Sequence, residues 1–407
     1  MRSAVHNRML KSVVLIFMLL LSSVISIPST WAAEHRPKGK AEQKAGVDLA
    51  KSAVSAVVMD AATGQVLFEK NMHEKLPPAS ITKIMSMLLI MEALESGRIK
   101  LTDRVRASEH AASMGGSQIF LEPGEQMTVD EMMKGIAVAS ANDATVAMAE
   151  HIAGSEEEFV KMMNERAEQL GLKNTHFKNS NGLPVAGHYT SAYDIALMSR
   201  ELLKHEQILK WTSIYSDYLR KDSEKPFWLV NTNKLIRYYP GMDGLKTGFT
   251  GEAKYCLSAT AKRGDFRVIT VVMGEPTSPQ RNAEISQMMD WAFSQFTSKT
   301  FYKAGQVVEK VKLDKGNEPS VQLVAADTLG VVMKKGEKSD AYTKQITFKE
   351  CKAPVKKGQV LGAVVIYKDG KEVGRTSIVA ANDIGKAGFW KMFKRTVDSW
   401  LTFGQAS

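Results

Sequence analysis

The sequence predicts an α+β protein: helices packed on an antiparallel sheet, then a small all-β domain, then a C-terminal amphipathic helix. Three observations carry this. Before Phe301, strand-like runs come first and last with helical periodicity between them, the pattern of helices laid on one antiparallel sheet. From about Phe301 the chain changes to short strands separated by glycine turns. After Asn382 it changes again, to a segment with aromatic residues on one side and cations on the other. A length of 407 residues accommodates two or three domains.

Residues 1–32 read as a signal peptide and are set apart from the fold. Arg2, Arg8 and Lys11 give a basic start, and Val13 to Ile25 is mostly apolar but short for a membrane span. Thr30-Trp31-Ala32-Ala33 offers small residues for cleavage after Ala32. The first domain is expected over residues 34–300. In VSAVVMDAATGQVLFEKN, two β-rich runs flank a turn at Ala62-Thr63-Gly64. The segment opened by Ser80-Ile81-Thr82-Lys83 is apolar nearly all round from Ile84 to Met91, which predicts a buried helix. EQMTVDEMMKGIAVAS and SANDATVAMAEHIAG carry further helical signals, and SEEEFVKMMNERAEQLG has acids in its first turn. TSAYDIALMSRELLKH has Thr190 or Ser191 as its cap. From about Trp228 the period changes. KYCLSATAKRGDFRVITVVMGE reads as two strands about Arg263-Gly264-Asp265, and RNAEISQMMDWAFSQF as a helix.

The second domain is expected over residues 302–381, all β, with a strong hairpin signal at Asp369-Gly370. The last element is a helix over residues 383–404. On a helical wheel Phe389, Trp390, Met392, Phe393, Val397, Trp400, Leu401 and Phe403 share one side, and Lys391, Lys394, Arg395 and Asp398 the other. That is the pattern of a helix lying in a membrane surface, with tryptophans at the interface.

The net charge of +10 is diffuse, with no basic run interleaved with aromatics, so nucleic acid is not an expected partner. A basic exported protein suits anionic lipids and wall polymers, at the outer face of the cytoplasmic membrane or secreted. Cys256 and Cys351 are too few and too far apart for a disulfide framework. No CxxC or HExxH run occurs, so neither a metal site nor a cofactor is expected.

A lysine at the head of a buried helix is costly and needs a reason. Three short motifs supply one: Ser80-Ile81-Thr82-Lys83, Ser140-Ala141-Asn142 and Lys246-Thr247-Gly248. Each alone is weak; their order, spacing and placement together are strong. A serine hydroxyl needs a base to become a nucleophile. Residues three apart share a helix face, so Lys83 can reach Ser80. Lys83 acts as a base only when neutral, and burial with a second cation nearby, Lys246, favours the neutral form. Ser140 would relay a proton to the leaving group, and Asn142 would hold Lys83 and a substrate amide. The Lys246 motif is read as directly preceding a strand that pairs with an extended substrate. The backbone N–H groups of Ser80 and Phe249 would form an oxyanion hole, and Thr247, beside Gly248, would bind a substrate carboxylate.

This set of motifs resembles the signature of penicillin-binding proteins and class A β-lactamases. The mature chain resembles the low-molecular-mass D-alanyl-D-alanine carboxypeptidases of the penicillin-binding protein 5 kind, serine peptidases of the S11 kind. It is most similar to their sporulation-associated branch in endospore formers. HAASMGGSQIFLEPGEQMTV and GMDGLKTGFTGEAKYCL carry this closer likeness. The resemblance implies a β-lactamase/transpeptidase-like domain, a β-rich domain and an amphipathic anchor. It implies removal of the terminal D-alanine from peptidoglycan stem peptides, covalent binding of β-lactam antibiotics, and a role for Arg281 in holding the substrate carboxylate. Ala141 stands where many relatives carry glycine, and Phe249 where some carry histidine.

The nearest alternatives share the motifs. An endopeptidase cutting cross-links would use the same chemistry. A class A-like β-lactamase needs a glutamate in a Glu-x-x-Leu-Asn segment to activate water, and none lies between Asn142 and Lys246. Glu165 and Glu168 fit a solvated helix face instead. A wall-binding protein with a dead site would show a broken motif, and all three are intact.

Overall fold

A computed structural model describes residues 49–391, 393 and 394. The signal peptide and most of the C-terminal helix read from the sequence lie outside these residues. The first hairpin joins β1 (Ser55–Asp60) to β2 (Val66–Lys70). At its turn the Thr63 backbone N–H and hydroxyl both donate to Asp60 Oδ2, at 2.8 and 2.6 Å. A 3₁₀ turn, Ala79–Thr82, then leads into α1 (Lys83–Glu95), followed by α2 (Asn142–Ala153), α3 (Glu156–Gln169) and α4 (Ala192–Leu202). The chain returns to strands at β3 (Met242–Thr250), β4 (Lys254–Arg263) and β5 (Phe266–Glu275), and α5 (Ser278–Gln295) ends this part.

The five strands form one antiparallel sheet in the order β2-β1-β5-β4-β3, so β3 is an edge strand. Both faces are covered. Val57, Met59, Val271 and Met273 point into a core shared with α1 and α4. Ala56, Val58, Val272 and Ala259 meet Ile285, Met288, Met289 and Ala292 of α5. Two-sided burial explains why β1 reads as a continuous apolar run rather than an alternation. In α1 the residues from Ile84 to Met91 are all buried, as their all-round apolarity predicts. Each such large side chain contributes about 1.5–3 kcal/mol by leaving water.

Three sequence expectations need correction. EQMTVDEMMKGIAVAS is not one helix. Gln126–Thr128 pairs with Arg104–Arg106 as a short strand, and Thr128 caps the helix Val129–Lys134 in a reciprocal box with Glu131. The backbone then widens into a π turn, Gly135–Ala139, that ends at Ser140. Second, a hairpin of Ser216–Leu219 and Phe227–Val230 begins before Trp228, where the sequence period changes. Third, Lys246, Thr247 and Gly248 lie inside β3 rather than ahead of a strand.

After α5, the strand Phe296–Tyr302 pairs with Leu329–Lys334. A second five-stranded sheet is built from β6 (Val307–Lys312), β7 (Ser320–Ala325), β8 (Tyr342–Phe348), β9 (Val360–Lys368) and β10 (Lys371–Ala380), ordered β6-β7-β10-β9-β8. Its core includes Leu323, Val364, Ile366 and Ile378. Asp369 and Gly370 both have positive φ, 48° and 73°, as a tight β9–β10 hairpin requires. Beyond β10 the chain is not yet helical. Ile384 bridges Val355 and Lys386 bridges Gly316, tying this stretch to the β-rich part. Helix begins only at Phe389, and Phe389, Trp390 and Phe393 are exposed. Cys256 and Cys351 are buried free thiols.

Candidate active site

The site begins at the 3₁₀ turn. With three residues per turn, positions i and i+3 eclipse, so Ser80 stands directly over Lys83. Lys83 Nζ lies 3.0 Å from Ser80 Oγ, 2.6 Å from Asn142 Oδ1 and 2.6 Å from the Asn181 carbonyl oxygen. Lys83 is fully buried, whereas Ser80 keeps partial exposure. A neutral amine has two N–H donors and one lone pair. Asn142 and Asn181 take the two donors, which leaves the lone pair for the Ser80 hydroxyl proton.

Asn142 is held on several sides. Its Nδ2 donates to the Gly115 carbonyl at 2.7 Å and its backbone N–H to the Ser117 carbonyl at 2.7 Å. A Cβ on Gly116 would sit 2.8 Å from Asn142 Nδ2, so this glycine, at φ 81°, lets the loop close on the amide. Ser140 ends the π turn with φ 64°, a left-handed conformation that a serine adopts at some cost, and it is almost buried. That geometry turns the chain into α2 and brings Asn142 to its first position.

β3 supplies the opposite wall. Alternate residues share a strand face, so Lys246 and Gly248 point the same way, toward the serine turn. A Cβ on Gly248 would lie 2.9 Å from the Pro78 carbonyl oxygen and 3.2 Å from Ala79 Cβ, so only glycine allows this approach. Lys246 is buried and donates to the Thr247 carbonyl at 3.0 Å. Thr247 Oγ1 donates to Thr232 Oγ1 at 2.7 Å. Phe249 is exposed and packs on the Tyr255 ring with centroids 4.3 Å apart. Arg281, in the first turns of α5, is nearly buried, and its guanidinium donates to Ser278 Oγ and Asn282 Oδ1.

The electrostatics follow from three cations held close together out of water. Burial, then the Arg281 charge, push Lys246 down to about 7. Burial, then the Lys246 charge, push Lys83 well below the ordinary lysine range, with the Asp143 carboxylate pulling the other way. A guanidinium keeps its proton, so the crowding of charge falls on the two lysines and disfavours their ammonium forms. The arrangement places a serine in hydrogen-bond contact with an amine whose charged form is disfavoured, beside Lys246 and Arg281.

Four contributors escaped the sequence reading. The Asn181 carbonyl is one; its only sequence mark is the Asn-Gly turn signal at Asn181-Gly182. Asp143 accepts from the Ile119 and Leu121 backbone N–H groups and sits in the first turn of α2, where an acid is favoured. His188 accepts the Lys178 N–H at Nδ1, so its Nε2–H donates to Thr82 Oγ1 at 2.9 Å, behind the serine turn. Thr232 carries no sequence signal. Glu165 and Glu168 are on the solvent side of α3, as expected of residues that activate no water.

This fold and site define a serine hydrolase of the penicillin-binding, transpeptidase-like class. Residues 40–277 match the D-alanyl-D-alanine carboxypeptidase family, peptidase S11, and residues 296–386 match the penicillin-binding protein 5 C-terminal domain. The chain is 56% identical over 365 residues to D-alanyl-D-alanine carboxypeptidase DacF of Bacillus subtilis, covering 89% of this chain and 94% of that one. It is similar in structure to penicillin-binding protein 5 of Haemophilus influenzae, with a TM-score of 0.66, 34% identity, and coverage of 82% of this chain and 98% of that one. It is also similar to penicillin-binding protein D2 of Listeria monocytogenes in its ampicillin-bound form, with a TM-score of 0.54, 30% identity, and coverage of 60% and 98%. The chain belongs to the S11 D-alanyl-D-alanine carboxypeptidase family.

Proposed function

We propose that Ser80 attacks the carbonyl of the penultimate D-alanine of a peptidoglycan stem peptide, with neutral Lys83 as the base. The observation that carries this is the occupancy of Lys83 Nζ: two acceptors at 2.6 Å and the Ser80 hydroxyl at 3.0 Å. As the Ser80 Oγ–carbon bond forms, the hydroxyl proton passes to Lys83. Ser140 relays that proton from Lys83 to the leaving nitrogen, the amide C–N bond breaks, and D-alanine departs. Lys83, neutral again, takes a proton from water as the water oxygen attacks the acyl carbon, and returns it to Ser80 Oγ as the Oγ–carbon bond breaks.

Thr247, Lys246 and Arg281 bind the terminal carboxylate. The substrate lies antiparallel along the free edge of β3, past Gly248, and Asn142 holds a substrate amide. The backbone N–H groups of Ser80 and Phe249 stabilise the tetrahedral oxyanion. β-Lactams acylate Ser80 because they resemble the D-Ala-D-Ala end. The direct test is D-alanine release from an acylated D-Ala-D-Ala peptide by wild type and S80A. Loss in S80A with an unchanged melting temperature is expected; retained release would show another nucleophile.

The same proposal includes export by a signal peptide over residues 1–32, a catalytic part over residues 34–300 and a β-rich part over residues 302–381, with Phe296–Tyr302 as the junction. It also includes a peripheral membrane anchor that starts at Phe389, six residues later than the 383–404 helix read from the sequence, supported by the exposed aromatics Phe389, Trp390 and Phe393. Among the described residues, no helix is long and apolar enough to cross a membrane. The likeness to the sporulation-associated branch supports a role in trimming spore-wall stem peptides. An unchanged level of cross-linking in spores lacking this protein would contradict that role.

A further inference from the structure

The reaction uses Arg281 but not the two carboxyls packed near it. Glu275, the last residue of β5, is completely buried. Among the described residues, no N–H or O–H donor reaches either of its carboxyl oxygens. Glu284, on α5, is nearly buried and in hydrogen-bond contact with Glu275. Unlike Glu275 it is well supplied with donors. Its Oε1 accepts the Ser52 backbone N–H at 2.7 Å and the Ser52 hydroxyl at 2.6 Å, and its Oε2 accepts the Ala53 N–H at 3.4 Å. The segment carrying these donors is tied down beside Glu275, where the Val54 N–H donates to the Met273 carbonyl at 2.9 Å.

Two buried carboxyls in contact resist ionising together, so one keeps its proton. The donors decide which. Three donated hydrogen bonds favour the carboxylate form of Glu284. Glu275 receives none, and it gains a hydrogen bond only by giving its own proton to Glu284. Burial opposes charge on Glu284, but the hydrogen bonds of Glu275, Ser52 and Ala53 outweigh it and hold that carboxyl below its ordinary range. Burial, then the hydrogen bond and charge of Glu284, push Glu275 up to about 8. The other titratable groups facing Glu275 are Lys70, Tyr255, Cys256 and Arg281. Lys70, at the end of β2, donates to the Ala50 and Lys51 carbonyls at 2.7 and 3.0 Å. Tyr255 and Cys256 come from β4, and burial pushes the Cys256 thiol up to about 11. Arg281 stands three residues before Glu284, on the same face of α5. Glu275 is the carboxyl whose charge reaches its guanidinium, and among the described residues Arg281 is in no salt bridge. A protonated Glu275 therefore leaves the Arg281 charge uncompensated, and an ionised one cancels part of it.

We propose that Glu275 is a positioning residue for the terminal carboxylate of the substrate: kept in its acid form by Glu284, it leaves the charge of Arg281 to that carboxylate, and its ionisation weakens substrate binding. The inference rests on the carboxypeptidase reading, because that reading gives Arg281 its anion.

The test compares wild type, E275Q and E284Q in D-alanine release from an acylated D-Ala-D-Ala peptide between pH 6 and 10. Glutamine at position 275 has the shape of the protonated acid and can donate to Glu284, but it cannot ionise. Lys246 is present in both proteins, so the ratio of wild-type KM to E275Q KM isolates Glu275. That ratio should be near one at pH 6 and rise to about tenfold at pH 10. A unit charge roughly 10 Å away, at an effective dielectric of ~20, changes the binding of an anion by about that factor. The change should fall on KM rather than kcat, as a loss of ground-state binding does. In E284Q the like charge is gone, so KM should begin its rise at a lower pH than in wild type. An infrared carbonyl band of a protonated carboxylic acid should persist in the wild type at pH 7, fade above pH 8 and be missing from E275Q. A KM ratio that stays constant from pH 6 to 10 would overturn the role of Glu275 while leaving the carboxypeptidase reading intact. Absence of the protonated-acid band from the wild type at pH 7 would do the same without any variant. No D-alanine release by the wild type at any pH would overturn both.

Discussion

Replacing Asn142 by aspartate changes one atom and inverts the logic of the base. In the wild type, Lys83 Nζ meets a neutral amide oxygen at 2.6 Å. In N142D it meets a carboxylate. A unit ion pair ~4 Å apart at an effective dielectric of ~20 is worth ~4 kcal/mol. That is roughly 3 pKa units at 1.36 kcal/mol each. The shift opposes the burial and the Lys246 charge that hold Lys83 well below its ordinary range. The sign is upward, so at neutral pH the neutral fraction of Lys83 falls. Acylation should drop by about 100-fold or more at pH 7, since a protonated lysine cannot take the Ser80 proton. The assay is the second-order rate of benzylpenicillin acylation from pH 5.5 to 10. The wild-type rate should fall as the pH drops and the active-site lysines protonate, with Lys246 titrating near 7. The N142D profile should be displaced to higher pH and climb about tenfold per unit across its acid limb. Coincident profiles for the two proteins would refute Lys83 as the base.

Three further outcomes can be checked together. G182A should lose about 2 kcal/mol or more of stability in urea, because Gly182 has φ +90° and a Cβ there would lie 1.9 Å from the Ala79 carbonyl oxygen. A smaller loss would mean the serine turn is not braced by this loop. His188 is pushed down to about 4 by burial and then by His176, so its folded form stays neutral where an unfolded histidine, near 6.5, takes a proton. Its contribution is full above about pH 6.5 and lost as the pH falls toward 4, by up to about 3 kcal/mol. The difference in urea stability between pH 7.5 and 4.5 should shrink in H188Q; an equal difference would contradict a buried neutral imidazole. Ending the chain after Gly388 preserves the Ile384 and Lys386 bridges while removing the exposed aromatics. That form should lose sedimentation with anionic lipid vesicles at an unchanged melting temperature, and continued sedimentation would reject the anchor.

Much of the architecture was legible because its signals are local. The all-round apolarity of Ile84 to Met91, the turn at Asp369-Gly370 and the two strands about Arg263-Gly264-Asp265 depend on neighbours in sequence. The site was legible through residue types that need one another: a serine needs a base, and a buried lysine needs a reason to be neutral. What stayed hidden depends on long-range packing. The Asn181 carbonyl is a backbone atom brought to Lys83 from 98 residues away, and no side-chain pattern encodes it. Thr232 meets Thr247 only because its backbone N–H is held by the Val138 carbonyl of the π turn. The π turn itself follows the six-residue helix Val129–Lys134 with no break in the helical signal, and the left-handed Ser140 ends it. Lys246 to Gly248 belong to the strand itself, although lysine and glycine are poor β formers. In the sheet, burial of Lys246 and the close approach of Gly248 to Pro78 override that propensity.

The central claim is that Ser80 is the nucleophile and that its acyl-enzyme persists when the acyl group is penicilloyl. Mass spectrometry of the purified soluble form, followed for an hour after benzylpenicillin is added and then mapped by peptide, tests it most directly. A lasting adduct on the peptide holding Ser80, absent from S80A, is the predicted result. Intact penicillin with no adduct, or an adduct on a peptide without Ser80, would contradict it.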